Sequence, residues 1–357
     1  MRSQSETSPT LRAGDWVEVK SKEEILATLD KRGSLDGMPF MPEMFQYCGR
    51  RFRVWKRAHK TCDTVNKTGG RRLTSAVHLE QLRCDGQAHG GCQAACLLFW
   101  KDVWLRPVAG QGDILLGKKP GILPQKVSVK CTEQDVLENT RLGTLREEHD
   151  PTFSCQATRL SEFTTLLSWW DIRQYIEDYT SGNAGIRQIV CGLIYASYYP
   201  LTRMRGGRIW RHLYDVFQRL RGGIPFPQRT GTVPEGQLTP ACELALQPGE
   251  FVRVKSFPNI LATLDHQNKN RGLRFDAEEV PFCNGTYRVK CRVNRIINEQ
   301  TGKMIHFKTE SVILENVYCQ ARYSDRRMFC PRAIYSLWRE AWLERVTDAP
   351  EARKKQS

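Results

Sequence analysis

Residues 14–30 read GDWVEVKSKEEILATLD, and residues 249–265 read GEFVRVKSFPNILATLD. These stretches open an ungapped alignment of residues 14–54 on residues 249–289, in which 17 of 41 positions are identical. The same offset continues to Cys84 on Cys319 and, after a three-residue insertion, to Trp104 on Trp342. The chain is therefore predicted to contain one folding unit twice, as repeat 1 (residues 14–108) and repeat 2 (residues 249–346).

Each repeat is predicted to be a small β-barrel with one helical turn. Residues 16–19 follow a glycine and are rich in β-formers, and residues 51–55 and 76–82 again have the pattern of strands. The run from GDWVEV (14–19) to GRRFRV (49–54) resembles the opening strands of SH3-like barrels. That resemblance implies an α+β protein with two homologous small β-barrel (SH3-like) domains separated by a helical insert.

The rest of the chain is predicted to consist of tails, linkers and helices. Residues 1–13 and 347–357 are polar and are expected to be disordered tails. Residues 109–159 are expected to form a linker and a polar helical stretch, and residues 222–248 a Pro/Gly linker. Residues 160–221 show helical periodicity, with breaks at 181–183 and 206–207.

The last part of the helical insert has the pattern of a basic amphipathic helix. Its apolar side contains Trp210, Leu213, Tyr214, Phe217 and Leu220. The arginines around that side are Arg203, Arg205, Arg208, Arg211, Arg219 and Arg221. Such a helix either docks on an anionic membrane surface or a pathway enzyme, or packs its apolar side into a core and leaves a solvated basic face.

Composition favours a cytoplasmic protein, with peripheral membrane attachment as an option. The N-terminus has no apolar segment typical of a secretory signal, and no apolar run reaches the roughly 18 residues of a membrane-spanning helix. Thirteen cysteines in a reducing compartment favour metal binding or thiol chemistry over a disulfide framework. The net charge of +15 favours polyanionic partners or an anionic membrane.

Cysteine and histidine are concentrated in repeat 1. The segment CDGQAHGGCQAAC (84–96) contains three cysteines and a histidine, and its glycines allow the backbone to wrap around one centre. Four thiolates suit zinc or an iron–sulfur cluster. The predicted metal ligands are Cys62, Cys84, Cys92 and Cys96. The possible additional ligands are His59, His78, His89, Cys48 and Cys155.

Repeat 2 provides an internal comparison for this set. It has Ile297 and Ile334 where repeat 1 has Cys62 and Cys96. Cysteines present in both repeats, such as Cys84 and Cys319, are candidates for structural thiols because cysteine packs as a small hydrophobe. Three alternatives follow: metals in both repeats with different completing ligands, a smaller metal cluster in repeat 1 with the shared thiols in the core, or buried thiols that bind no metal.

Other classes of function are weighed on the same residues. A cysteine nucleophile such as Cys62 or Cys92 with a nearby histidine would make repeat 1 the active half of a thiol-dependent enzyme, as would a metal with an open position. Nucleic-acid binding is disfavoured, because there is no RNP-like motif or zinc-finger spacing. The remaining alternative is a metal-free SH3-like scaffold that binds partner segments.

Several longer strings carry a resemblance over the whole chain. They are KSKEEILATLD (20–30), PFMPEMFQYCG (39–49), RAHKTCD (57–63), WWDIRQY (169–175) and CPRAIYSLWREAWLERV (330–346). These strings are similar to those of an uncharacterised bacterial family of duplicated, cysteine-rich proteins found near sugar and specialised-metabolite biosynthesis genes. The resemblance implies an accessory role in biosynthesis. The combined prediction is a metal-binding accessory protein that docks through basic helices.

Overall fold

The computed structural model describes residues 10–108, 131–142, 151–324 and 326–346. Most of the predicted N-terminal tail, the whole C-terminal tail and much of the predicted linker at 109–159 lie outside the described residues. The chain forms two compact units. Unit 1 contains the described residues up to 190 together with 297–304 and 329–332, and unit 2 contains the others.

In the described residues of unit 1, the strands form one larger antiparallel sheet and three small ones. They are Trp16–Val19 (β1), Ser34–Leu35 (β2), Met38–Pro39 (β3), Arg51–Arg57 (β4), Lys60–Cys62 (β5), Gly70–Arg72 (β6), Ala76–Leu79 (β7), Trp100–Lys101 (β8), Leu105–Pro107 (β9), Arg141–Leu142 (β10), Thr152–Phe153 (β11) and Thr165–Leu167 (β12). The larger sheet has the order β8-β7-β4-β1-β9. The small sheets are β12-β6-β5, β10-β11 and β2-β3.

The strands of unit 2 form a second five-stranded sheet with the same arrangement. They are Phe251–Val254 (β13), Lys269–Asn270 (β14), Leu273–Arg274 (β15), Thr286–Ile297 (β16), Met304–Tyr318 (β17), Tyr335–Trp338 (β18) and Leu343–Arg345 (β19). The sheet order is β18-β17-β16-β13-β19, and β14 pairs with β15. Equivalent residues occupy equivalent registers, since Trp16 pairs with Arg53 and Phe251 with Arg288.

Both larger sheets are open. In the described parts of the chain no sheet closes into a barrel, so the prediction of closed barrels is wrong, while the mixed α and β composition is confirmed. A barrel closes only when its two edge strands pair. Here the edge strands β8 and β9 have two and three residues and are joined by the short 3₁₀ helix Asp102–Trp104. Edges this short offer few backbone groups for closure.

The cores of the two repeats use equivalent tryptophans. In unit 1, Trp104 is fully buried, and its indole N–H donates to Thr28 Oγ1 at 3.0 Å. In unit 2, Trp342 is equally buried and donates to Thr263 Oγ1 at the same distance. The buried indole is thus satisfied in the same way in each repeat.

The observed helices agree only in part with the helices and breaks predicted from the sequence. They are Lys22–Leu26 (α1), Glu133–Glu138 (α2), Arg173–Thr180 (α3), Ile186–Tyr198 (α4), Gly207–Arg221 (α5) and Phe257–Leu261 (α6). The breaks at 181–183 and 206 are observed, whereas 160–172 is not a continuous helix because it contains β12. Residues 223–248 contain no helix or strand. No described helix has the length and apolar character needed to cross a membrane.

The apolar side of α5 lies at the surface. Leu213, Phe217 and Leu220 are 51%, 53% and 83% exposed. The alternative in which this side packs into a core is therefore wrong for these residues. Within the predicted apolar set, Tyr214 packs inward against the edge of the Phe226 ring at 5.4 Å, and the partly exposed Trp210 packs edge-on against Tyr198 at 6.0 Å.

Candidate functional site

Three potential metal ligands of repeat 1 lie close together. Among the described residues, Glu43, Cys84 and His89 are the one group of at least three His, Cys, Asp or Glu whose ligand atoms all lie within 4.8 Å of one another. The Cys84 Sγ atom is 3.2 Å from His89 Nε2. Ligands placed about 2.0–2.3 Å from a zinc ion have mutual distances in this range.

Glu43 is held by a short 3₁₀ helix, Pro42–Tyr47. Proline suits the first position of a helix because its missing N–H would have no partner there. The helix buries the Glu43 side chain, and both carboxylate oxygens lack a hydrogen-bond partner among the described residues. Burial raises the pKa of this carboxyl, while its own backbone N–H and the Cys84 thiol, which are close but outside hydrogen-bond geometry, act in the opposite direction. A buried carboxylate without hydrogen-bond partners lowers the stability of the folded protein unless a nearby positive charge compensates it.

Cys84 and His89 are brought together by a tight loop. The Cys84 N–H donates to the Cys96 carbonyl at 2.8 Å, which closes the segment between them. Inside it, the 3₁₀ helix Gln87–His89 is preceded by Gly86 with φ of 73°. A Cβ atom at Gly86 would lie 2.0 Å from the Cys92 carbonyl oxygen. Only glycine fits this backbone, so the glycine is what folds His89 back towards Cys84.

The electrostatics of the group favour neutral thiol and imidazole. Burial, followed by the charge of Glu43, raises the pKa of the Cys84 thiol. Burial lowers the pKa of His89 to about 4, and the His89 Nδ1 atom is buried without a partner among the described residues. A bound cation would favour the thiolate form of Cys84 over the neutral thiol, because coordination deprotonates the sulfur.

A cavity of about 30 Å³ lies beside the group, entirely within unit 1. This volume exceeds the roughly 10–15 Å³ that one water molecule requires. Its polar lining consists of Glu43, Cys84, His89, Cys92, Cys96, Cys155, Gln156, Glu299 and Arg332. Burial raises the pKa of Cys96 to about 12 and that of Cys155 to about 11, so both are neutral thiols at pH 7.

Three of the four predicted thiol ligands lie at the cavity, and the fourth lies elsewhere. Cys84, Cys92 and Cys96 line the cavity. Cys62 lies on β5, where its N–H donates to the sulfur of Cys330 at 3.1 Å. Because β5 pairs with β6, and not with the strand that carries His78, Cys62 is not brought next to Cys84. In the described residues these four thiols do not form a group within 4.8 Å, so they are not one coordination set.

Two of the predicted additional ligands, His89 and Cys155, reach the cavity. His78 is buried elsewhere, with Nδ1 hydrogen-bonded to the Leu98 carbonyl at 2.9 Å and a pKa lowered by burial to about 3. It is therefore a packed core histidine. Cys48 is half-buried at the end of the Pro42–Tyr47 helix and packs against the core of unit 1.

His59 belongs to a separate buried network in unit 1. Its Nε2 atom lies 3.2 Å from Asp178 Oδ1, and Lys60 Nζ lies 2.5 Å from Asp178 Oδ2. The Gln174 side chain also accepts from Lys60 at 3.2 Å. The opposite charges of Lys60 and Asp178 compensate each other, and this network has the contacts of a structural ion pair.

Glu43 was missed in the sequence, although repeat 2 contains a signal for it. The equivalent residue Glu278 is buried and accepts hydrogen bonds from the N–H groups of Arg322 at 2.9 Å and Tyr323 at 2.5 Å. The equivalent glutamates thus have different surroundings: Glu278 accepts backbone hydrogen bonds in repeat 2, and Glu43 faces Cys84 and His89 in repeat 1. A glutamate that both repeats keep, and that lies within the apolar stretch PFMPEMF (39–45) of repeat 1, was the available indication of a buried carboxylate.

Comparisons of the chain with protein-family models, with curated proteins and with solved structures each give no match. Function is therefore inferred from the geometry around Glu43, Cys84 and His89.

Proposed function

We propose that repeat 1 binds one divalent metal ion of the zinc class through Glu43, Cys84 and His89. The observation that carries this proposal is the buried Glu43 carboxylate, which lacks a hydrogen-bond partner among the described residues and lies beside a thiol and an imidazole. A cation bound there would compensate the charge and satisfy all three groups at once. In repeat 2 two backbone N–H groups already satisfy Glu278.

The donor set selects the kind of metal. Magnesium and calcium prefer oxygen ligands alone, and iron–sulfur clusters are held mainly by thiolates. One thiolate, one imidazole and one carboxylate are all common zinc ligands. The observed grouping therefore favours zinc over the iron–sulfur alternative, which needs more thiolates than this group offers.

Three protein ligands leave one position of a tetrahedral ion for another ligand. Catalytic zinc sites keep such a position for water or substrate, whereas structural sites fill it with a fourth side chain. The adjacent cavity has room for a water molecule, and Cys92, Cys96 and Cys155 line the same cavity. The site thus supports a metal-dependent enzyme with repeat 1 as its active half, or a metal-binding accessory protein of a biosynthetic pathway if a cavity thiol completes the shell.

The fold and the location of the protein complete this proposal. Each repeat is taken to be an open relative of the SH3-like barrel, because β8 and β9 lie at opposite edges of the sheet and are joined by a single 3₁₀ turn. A cytoplasmic location is proposed because a reducing compartment keeps Cys84 and the other free cysteines from forming disulfides.

The second candidate is a thiol-dependent enzyme, which the 3.2 Å contact between Cys84 and His89 favours. Two observations weaken it. The nucleophile would be a thiolate, yet burial and Glu43 raise the pKa of Cys84. A carboxylate that orients the imidazole would accept from its second nitrogen, and His89 Nδ1 has no partner among the described residues.

The proposal is tested by elemental analysis of native protein purified without chelators. Wild type and Cys319→Ser should each contain one equivalent of zinc, and Cys84→Ser should contain less than about a tenth of that. Cys319 is the matched control because its N–H makes the same bond, to the Ile334 carbonyl at 2.8 Å. Absence of metal from wild type, even after incubation with zinc, would refute the proposal, as would equal loss in the two variants.

Alkylation of the metal-free protein separates the two candidates. Cobalt substitution should give a thiolate charge-transfer band that Cys84→Ser lacks. Rapid modification of Cys84 by iodoacetamide near pH 7, unaffected by added zinc, would instead support the thiol-dependent enzyme, because only a thiolate reacts fast.

A further inference from the structure

The helix α5 exposes a continuous apolar stripe. Its members are Ile209, Trp210, Leu213, Val216, Phe217 and Leu220, which are between 40% and 83% exposed. At 100° per residue they fall within roughly 120° of the helix circumference, the width of a face that normally packs against something apolar. The helix has 15 residues and therefore a length of about 22 Å.

The opposite side of α5 is already fixed inside unit 2. Tyr214 packs edge-on against Phe226 at 5.4 Å, and the Asp215 carboxylate accepts from the Phe226 N–H at 2.7 Å. The Tyr198 hydroxyl donates to the Trp210 carbonyl. These contacts set the rotation of the helix, so the apolar stripe faces outward as a consequence of packing on its other side.

Basic residues border this stripe. Arg219 and Arg208 lie about 60° and 80° beyond one edge of the stripe, Arg221 lies about 20° beyond the other, and all three are exposed. Arg203 and Arg205, just before the helix, are also exposed. Asp215, the one acidic residue in the helix sequence, pairs with Arg229 on the inner side. The outward surface of α5 is therefore apolar in the middle and positive at its margins.

We propose that α5 lies in the headgroup region of a membrane that contains anionic phospholipid. A helix with leucine, phenylalanine and tryptophan on one face and arginine beside them is typical of interfacial membrane binding. Arginine margins complement phosphate-bearing headgroups, and each basic residue near such a surface strengthens binding about fivefold.

A second copy of this chain is a poorer occupant of the same surface. A symmetric dimer through this stripe would place Arg208, Arg219 and Arg221 of one copy near the same arginines of the other. Repulsion between like charges in a desolvated interface would oppose that contact. An anionic membrane offers the apolar layer and the complementary charge together.

The test is co-sedimentation of the full-length protein with lipid vesicles. Vesicles of phosphatidylcholine are compared with vesicles that also contain about 30% phosphatidylglycerol, at about 0.05 M and about 0.5 M salt, because screening weakens only the electrostatic part. Binding to the anionic vesicles should be at least about tenfold tighter at low salt and should fall steeply at high salt.

Variants localise the binding to α5. Phe217→Glu/Leu220→Glu should weaken binding at least about 30-fold, since it places two charges in the apolar layer. Leu238→Glu is its control, because Leu238 is 81% exposed but lies outside the helix. Arg208→Gln/Arg219→Gln should weaken binding roughly 25-fold. Arg253→Gln/Lys308→Gln, two exposed strand positions, is the control with the same net charge and should change binding less than about twofold.

Three outcomes would overturn the proposal. One is wild-type protein that does not bind anionic vesicles at low salt. Another is a control variant that weakens binding as much as the matching α5 variant does. The third is a wild-type dimer in analytical ultracentrifugation that Leu220→Glu dissociates while vesicle binding is absent, which would assign the stripe to self-association. Circular dichroism of each variant confirms that it is folded.

Discussion

Replacement of the equivalent glutamates by glutamine should affect the two repeats in opposite directions when no metal is bound. Glu43→Gln removes a charge that has no hydrogen-bond partner among the described residues. Glu278→Gln replaces one of two oxygens that accept from the N–H groups of Arg322 and Tyr323. The amide would then direct an N–H group at a backbone N–H group, and one buried donor would lose its acceptor.

The expected magnitudes follow from these contacts. A buried donor without an acceptor costs about 1–3 kcal/mol, so Glu278→Gln should lower the free energy of unfolding by that amount. Glu43→Gln loses no such bond and should leave the free energy of unfolding unchanged or raise it by up to about 2 kcal/mol at pH 7.

The sign of the pH dependence follows from the raised pKa of Glu43. The folded protein holds this proton to a higher pH than the unfolded chain, whose carboxyl titrates near pH 4.3. The free energy of unfolding of the parent protein therefore falls as pH rises from that value through the folded pKa. The advantage of Glu43→Gln should grow over the same window and disappear in acid.

Zinc should make the parent protein more stable than Glu43→Gln, which is the reverse of the order of stability expected without metal. A ligand bound only to the folded state stabilises it in proportion to the logarithm of its concentration over Kd, and removal of one zinc ligand should raise Kd at least about tenfold. Urea unfolding followed by circular dichroism, with EDTA and with zinc, measures both effects. Equal destabilisation by the two glutamines without metal, or unchanged zinc affinity in Glu43→Gln, would refute the reasoning.

Three further changes test the surrounding structure by urea unfolding. Gly86→Ala should cost more than about 3 kcal/mol and abolish zinc binding, whereas Gly49→Ala, with φ of 72° and nothing within 4 Å of its Cβ, should cost only about 1 kcal/mol. The folded pKa of His78 is about 3, below its unfolded value, so this histidine alone removes about 1.6 kcal/mol of stability between pH 6.5 and pH 5, and His78→Gln should lose about that much less than its parent. Thr28→Val and Thr263→Val each leave a buried indole N–H without its acceptor and should cost a similar amount, about 1–3 kcal/mol; a cost in one repeat alone would contradict their equivalence.

The strands of the repeats could be located from the sequence because they depend on local pattern. The predicted strands at 51–55 and 76–82 are observed as Arg51–Arg57 and Ala76–Leu79. Whether the sheet closes could not be predicted in this way. Closure depends on pairing between β8 and β9, and neither alternation nor propensity specifies how far two short edges reach.

The candidate site was predictable only where its residues are close in sequence. Cys84 and His89 stand in one glycine-rich loop, and the density of ligand residues there indicated a metal. Glu43 lies on a separate 3₁₀ helix that is distant in sequence. The pairing of β5 with β6 places Cys62 outside the group. Periodicity likewise identified the apolar side of α5, but only tertiary packing decided that Tyr214 faces inward and Leu220 outward.

The composition of unit 1 has a consequence for the order of events on the ribosome. Ile297, Glu299 and Arg332 line the cavity beside the proposed metal ligands, and Arg332 pairs with Glu299 at 3.0 Å. N-terminal domains usually fold while synthesis continues, yet these wall residues are translated more than 200 positions after Cys84. Until they emerge, the loop that contains Cys84 and His89 lacks this wall and faces solvent directly. An ion captured in that interval would be enclosed once these later residues pack against the loop, and exchange from the folded protein would then be slow.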